Sequence, residues 1–230
     1  MGYILLEGGA EFGGYMEAAD RRTLELAGGL DAPISIIPAA AAPAKDHQNA
    51  GNNGVEWFRS LGASNVTALP LIDRKSADDH GLAEALRVSK IIYLLGGSPR
   101  YLEECLRASA SWQAMLTAYE MGAVIGGSSA GAMVLCEHYY DPFQEKVYEG
   151  LGLLLRTSVI PHFDTFGHDW LGLLLKLLPD TIFIGIDEQT GIVNGGYKNR
   201  WQIYGKGTVT LFRNNEKSTL GSGQSFELVV

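Results

Sequence analysis

Five short apolar runs do most to limit what this chain can fold into: YILLEG (3–8), ISIIPA (34–39), VTALPL (66–71), KIIYLLGG (90–97) and AVIGG (123–127). They are too short for buried helices and near-continuous rather than alternating, which is the pattern of strands covered on both faces. Between them lie segments of helical periodicity at roughly 15–28, 47–61, 79–87, 99–107 and 109–120. The second carries GVEWFRSLG and ends on Gly62, a natural helix stop. Strand and helix in alternation predict an α/β chain: a mostly parallel sheet flanked by helices on both faces.

The texture changes after residue 140. QEKVYEGLGLLLRTSVIPHF reads as short strands, 165–178 as one more helix, and TIFIGIDEQTGIVNGG as two strands joined through Asp-Glu-Gln. RWQIYGKGTVTLFR has the look of an antiparallel hairpin turning at Gly205-Lys206-Gly207, so antiparallel strands are expected at the C-terminal end. The alanine-rich PAAAAPAK (38–45) holds two prolines and is read as a loop at the carboxyl end of the second strand, where ligands bind in such sheets. With no repeat and no long linker, residues 1–230 are taken as a single α/β domain.

Charge and cysteine usage narrow the function classes. A formal net charge of -8 leaves no basic stripe for nucleic acid or an anionic membrane, so small molecules or peptides are the expected partners. MGYILLEGGAEF lacks the basic region of a secretory signal, and LGLLLKLLP (171–179) falls far short of the ~20 residues of a membrane span. Cys105 and Cys136 have neither zinc-type spacing nor the number for a disulfide framework. A cytoplasmic protein with reduced thiols is expected, and a homodimer is carried as its oligomeric expectation.

IGGSSAGAMVL (125–135) places Gly127-Ser128-Ser129-Ala130-Gly131 where a strand hands over to a helix, matching the G-x-S-x-G nucleophile elbow centred on Ser129. Such a turn holds a strained backbone so that the hydroxyl projects above the sheet, and only small neighbours fit within it. Ser128 is then the intervening residue, facing away. A serine hydroxyl needs a base. Of the five histidines, His47 and His80 lie in polar segments, and His138 follows the elbow helix too closely to turn back. His162, after an apolar strand and Pro161, is the one a strand-end loop would deliver, with His168 in reserve. IFIGIDEQTG offers Asp187 and Glu188 as the acid; neighbours at a strand end face opposite sides, so one of the two reaches the imidazole. The order Ser, His, acid differs from the Ser, acid, His of α/β-hydrolases. An oxyanion hole is expected from the Ala130 amide together with Gly97 of YLLGGSPRYL. The first glycine cluster, LEGGAEFGG (6–14), misses the G-x-G-x-x-G spacing of a dinucleotide site.

LLGGSP (94–99), GGSSAGA (126–132), PHF (161–163) and GIDEQTG (185–191), in this order, resemble the serine peptidases related to peptidase E (aspartyl dipeptidase) and cyanophycinase. These share the fold of class I glutamine amidotransferases but carry serine in place of cysteine. The resemblance runs over about residues 3 to 213 and implies Ser129 as nucleophile, His162 as base then acid, Glu188 as the orienting acid, and Gly97 with Ala130 as the oxyanion hole. It implies hydrolysis of small peptides through an acyl-enzyme, without a cofactor. The other reading carried forward is a non-catalytic or small-ligand-binding protein on the same fold.

Departures bear on substrate. FDTFGHDWLGLLLKLL (163–178) has no arginine and only Lys176, so the basic residue with which the aspartyl dipeptidases meet an acidic side chain is missing. Ser98-Pro99 stand where family members tend to have Gly or Asp followed by Asn or Gln. GIDEQTG and the tail W-x-I-x-GKG-x-V look closer to cyanophycinase. Arg100, Lys146 and Arg200 are candidate substrate contacts.

Overall fold

The computed structural model describes residues 1–195, 199–213 and 216–228. Strands β1 (Tyr3–Glu7), β2 (Ile34–Ile37), β3 (Val66–Ala68), β4 (Ile91–Leu94) and β5 (Val124–Ser128) coincide with the five apolar runs. Between and after them come helices α1 (Glu17–Leu26), α2 (His47–Ser60), α3 (Arg74–Ala77), α4 (His80–Arg87), α5 (Pro99–Leu106), α6 (Ala110–Glu120) and α7 (Ala130–Leu135). The second half holds β6 (His138–Asp141), β7 (Lys146–Glu149), β8 (Thr157–Ile160), α8 (Leu171–Leu177), β9 (Ile182–Ile186) and β10 (Thr190–Asn194). It ends in β11 (Arg200–Gly205), β12 (Thr208–Arg213), β13 (Glu216–Gly221) and β14 (Ser225–Glu227).

The larger sheet has eight strands in the order β14-β11-β10-β1-β5-β4-β2-β3. Its β1-β5-β4-β2-β3 portion is parallel, and β10, β11 and β14 extend it antiparallel from β1. Alternate side chains of one strand feed opposite layers. Ile4 and Leu6 of β1 and Ile92 and Leu94 of β4 join the core under α4, α5, α6 and α7. Leu5, Ile91 and Tyr93 point the other way, into the core that holds Met16, Leu24 of α1 and Phe58 of α2. Both faces are therefore dry, which is why these strands read as continuous apolar runs.

Helix starts follow local chemistry. Asp79, Ser98 and Ser109 accept hydrogen bonds from the amides of Leu82, Tyr101 and Trp112 at 3.0, 3.3 and 3.0 Å. Pro99 occupies the first turn of α5, where its missing N–H costs nothing. Ser98-Pro99 thus begins a helix beside the site.

The C-terminal half departs from one expectation. β11 and β12 do not form a hairpin: β11 pairs with β10 and β14, while β12 pairs with β9 and β13 in a second sheet of order β13-β12-β9-β8. The cause lies in where the turn's amides go. Lys206 N donates to Gln189 O (2.9 Å), Gly207 N to Thr190 Oγ1 (2.9 Å) and Thr208 N to Asp187 Oδ2 (2.7 Å), so the chain is drawn across to the β9–β10 connection and changes sheet. β9 and β10 are likewise divided between the two sheets. The loop at 38–45 includes a 3-10 turn at Ala39–Ala41, and the helix expected over 165–178 is a 3-10 turn (Gly167–Trp170) running into α8. The β6–β7 hairpin went unforeseen at β6, whose buried face is built around Tyr139 stacked on Tyr148 at 5.8 Å.

Candidate active site

The carboxyl ends of β1, β4 and β5 lie side by side, because Glu7 stands in register with Ser128 and Leu94 with Gly127. Ser129 follows β5 directly and begins α7 with φ 48° and ψ −111°, a conformation L-residues avoid unless their surroundings enforce it. Its amide donates to Glu7 O at 3.0 Å. The surrounding small residues have a steric cause: a Cβ on Gly127 would lie 2.4 Å from the Gly131 carbonyl carbon, and one on Gly131 would lie 2.1 Å from Leu94 O. Ser128 turns away, its hydroxyl donating to Glu11 Oε2 at 3.0 Å.

His162 follows β8 and Pro161, itself at positive φ (50°), with its amide on Gly8 O at 2.8 Å. Its carbonyl accepts the amides of Thr165, Phe166 and Gly167, winding the next residues into a turn. That turn lays the Phe166 ring on the imidazole at 4.8 Å and 22°. The imidazole also rests on Gly9, where a Cβ would come within 2.3 Å of His162 Cε1. Packed by both, the ring places Nε2 3.0 Å from Ser129 Oγ and Nδ1 2.8 Å from Glu188 Oε1. The structure thus brings Ser129, His162 and Glu188 into one line.

Of the two adjacent acids, Glu188 faces the imidazole. Its amide is pinned by Asp164 Oδ1 at 2.9 Å, and that of Gln189 by Gly9 O at 2.9 Å. Asp187 points into the sheet-changing corner, where one carboxylate oxygen accepts both the amide and the hydroxyl of Thr208. His168 is apart from the line, bonded to Phe163 O and near Asp169.

Gly97 has φ 137°, and a Cβ there would strike Ala40 O at 2.3 Å. Among the described residues, neither the Gly97 nor the Ala130 amide donates a hydrogen bond within the protein. Around Ser129, Gly97 and His162 opens a cavity of about 410 Å³, walled by Pro99, Met133, Pro142, Phe143, Phe166 and Trp170. Sequence reasoning did not single out this apolar wall; its parts come from four separate stretches of chain. Gly8 and Gly9 were also set aside as a failed nucleotide motif, although a Gly-Gly pair closing the strand beside the elbow strand was the available signal.

The three candidate cations lie elsewhere. Arg100 stacks over Tyr148 at 4.2 Å and pairs with Glu104, Arg200 bonds Ser225, and Lys146 is exposed on β7. A larger hollow of about 660 Å³ among Arg74, Arg100 and Arg107 is a surface network, with these cations already paired to Asp78, Glu104 and Glu103.

Beneath the elbow lies a buried acidic group. Glu7 is fully buried, with the Tyr93 hydroxyl donating to Oε2. Burial pushes its carboxyl well above the usual range; the charges of Asp20 and Glu11 add to this, and the Tyr93 bond opposes it. Asp20 is pushed up to about 7 by burial, against the bond from Trp57 Nε1 (2.7 Å) and with a further rise from Glu11.

Comparison with known proteins gives concordant matches. The family model described as Peptidase family S51 matches residues 4–200. The chain is similar to the cyanophycinase of Geminocystis herdmanii, 29% identical over 233 residues that cover 96% of this chain and 84% of that protein. It is also 29% identical to the cyanophycinase of Synechococcus elongatus over 198 residues, 80% of this chain but 60% of that longer protein. Among solved structures, a peptidase from an acI-B1 Actinobacterium superposes with a TM-score of 0.89 at 29% identity, covering 99% of this chain and 97% of that one. A protein assigned to peptidase E from Listeria monocytogenes EGD-e shares the fold, with a TM-score of 0.65 at 18% identity over 90% of this chain and 99% of that one.

Proposed function

Since the chain belongs to peptidase family S51, a family of serine-type peptidases, we propose that Ser129, His162 and Glu188 are its catalytic triad and that it hydrolyses small peptides as a dipeptidase E or cyanophycinase-like enzyme. The observation that carries this reading is the unbroken line from Ser129 Oγ to His162 Nε2 (3.0 Å) and from Nδ1 to Glu188 (2.8 Å). Glu188 keeps a proton on Nδ1, leaving Nε2 free to accept one. Ser129 Oγ attacks the peptide carbonyl as its proton passes to Nε2, and the charge that develops on the carbonyl oxygen falls to the Gly97 and Ala130 amides. The imidazolium then protonates the leaving amine, and water, activated by the same nitrogen, frees the acid from Ser129.

Location and partners belong to the same reading. No helix among the described residues is long and apolar enough to cross a membrane. Cys105 and Cys136 are buried and unpaired, which supports a cytoplasmic enzyme with reduced thiols. The deficit of positive charge speaks against nucleic acid as a partner.

A fluorophosphonate probe tests the assignment. The wild-type protein and Ser128→Ala are expected to become labelled and Ser129→Ala to stay unlabelled. Equal labelling of the two variants, or none of the wild type, would remove Ser129 from the mechanism.

A further inference from the structure

We propose that the cavity beside Ser129 is a specificity pocket for an apolar or aromatic side chain flanking the scissile bond. This rests on the peptidase reading above and adds a substrate class to it. The pocket's one ionisable side chain is His162, and both of its ring nitrogens are already engaged, by Ser129 and Glu188. Apart from Ser129 and Gly97, the rest of the wall is apolar side chain, aromatic ring or proline, and includes Met133, Phe166 and Trp170, the two rings 5.6 Å apart and tilted by 53°.

A carboxylate or guanidinium entering this space would leave water without meeting a counter-ion. The charged groups next to this wall are not part of its lining and have partners of their own: Glu11 accepts from Ser128, Asp141 from the Phe143 amide, and Arg100 lies over Tyr148 beside Glu104. An apolar side chain gains by the same burial. The mouth adds a second observation. Phe143 is 75% exposed on the β6–β7 turn, where its amide donates to Asp141 Oδ1 at 2.8 Å and holds a large ring in water at the rim. A bound apolar group would cover that ring. Residues 163–178 of the sequence, with Lys176 as their lone lysine and no arginine, supply no cation to this wall.

The test uses two sets of short peptides that place Phe, Leu, Asp or Arg on one side or the other of a single bond. Each peptide competes with the fluorophosphonate for wild-type protein, and amine release is followed in parallel. In one of the sets, Phe and Leu are expected to halve the labelling rate at concentrations at least about tenfold below those of Asp and Arg. Phe143→Arg, at an exposed position, is expected to shrink the preference for Phe over Asp at least about tenfold. Labelling that is intact but blocked equally or better by Asp or Arg overturns the pocket assignment and leaves the peptidase reading in place, and a preference unmoved by Phe143→Arg also counts against the pocket. A wild-type protein that neither reacts with the probe nor releases amine overturns both.

Discussion

At the scale of single residues, the site is a set of positions where an ordinary backbone would not serve. Ser129 and His162 both sit at positive φ, each anchored by its amide to a carbonyl at the end of β1 or just beyond it. Strain of this kind persists where surrounding bonds over-determine it. On the proposed assignment serine and histidine act as one unit, so Ser129→Ala and His162→Ala are expected to lower kcat by similar factors, on the order of 10³ or more, with the double variant no slower than either single one. Steady-state kinetics check this, and a double variant far slower than both would show that the two do not work together. Glu188→Gln is expected to lose less than either, and Asp187→Asn less again, because Asp187 bonds Thr208 rather than the imidazole. The expectation that one of two adjacent acids faces the ring needed only strand alternation. The choice of Glu188 came from the family resemblance, and the corner that occupies Asp187 gives it a physical reason.

At the scale of elements, the carboxyl ends of β1, β4 and β5 bring the elbow together, and buried hydrogen bonds tie α1 to α2 and β1 to β4. Asp20 of α1 accepts from Trp57 of α2, while Glu7 of β1 accepts from Tyr93 of β4 and lends its carbonyl to Ser129. Because Asp20 is raised from 3.8 to about 7, the folded chain keeps a proton there that the unfolded chain has already lost. Stability contributed at this site therefore falls as pH rises from about 4 to about 7. Asp20→Asn keeps an acceptor for Trp57 and removes the charge. In urea titrations the variant is expected to gain on the wild type between pH 5 and pH 7.5 and then hold its advantage; a constant difference across that range would mean the carboxyl is not the source. Glu7 and Asp20 went unnoticed in the sequence because one acid at a strand end and one on a helix look solvated until the layers close over them.

At the scale of the whole molecule, the path of the chain between its two sheets delivers the acid to the imidazole. β9 ends in the smaller sheet and β10 begins in the larger, so Glu188 stands at the junction. The reverse crossing, β11 to β12, packs against it: Gly205 has φ 102°, and a Cβ there would lie 2.2 Å from Gln189 O. Gly205→Ala is expected to cost about 1–3 kcal/mol in chemical denaturation through backbone strain. It should also lower kcat/KM by displacing the Gln189–Glu188 segment; unchanged activity and stability together would show that the corner does not hold the acid. By itself the sequence determined the alternation of buried strands and helices, the tight turn at Ser129 and the short list of partners for it. Those features depend on periodicity and on sterics among a few neighbouring residues, which a linear chain carries with it. Only the tertiary structure decided that Gly205-Lys206-Gly207 leaves one sheet for another, that Asp187 is taken up by Thr208, and that Met133, Phe143, Phe166 and Trp170 share one wall. Each of those depends on which distant backbone amide or ring arrives at the same place, and no local pattern encodes that distance.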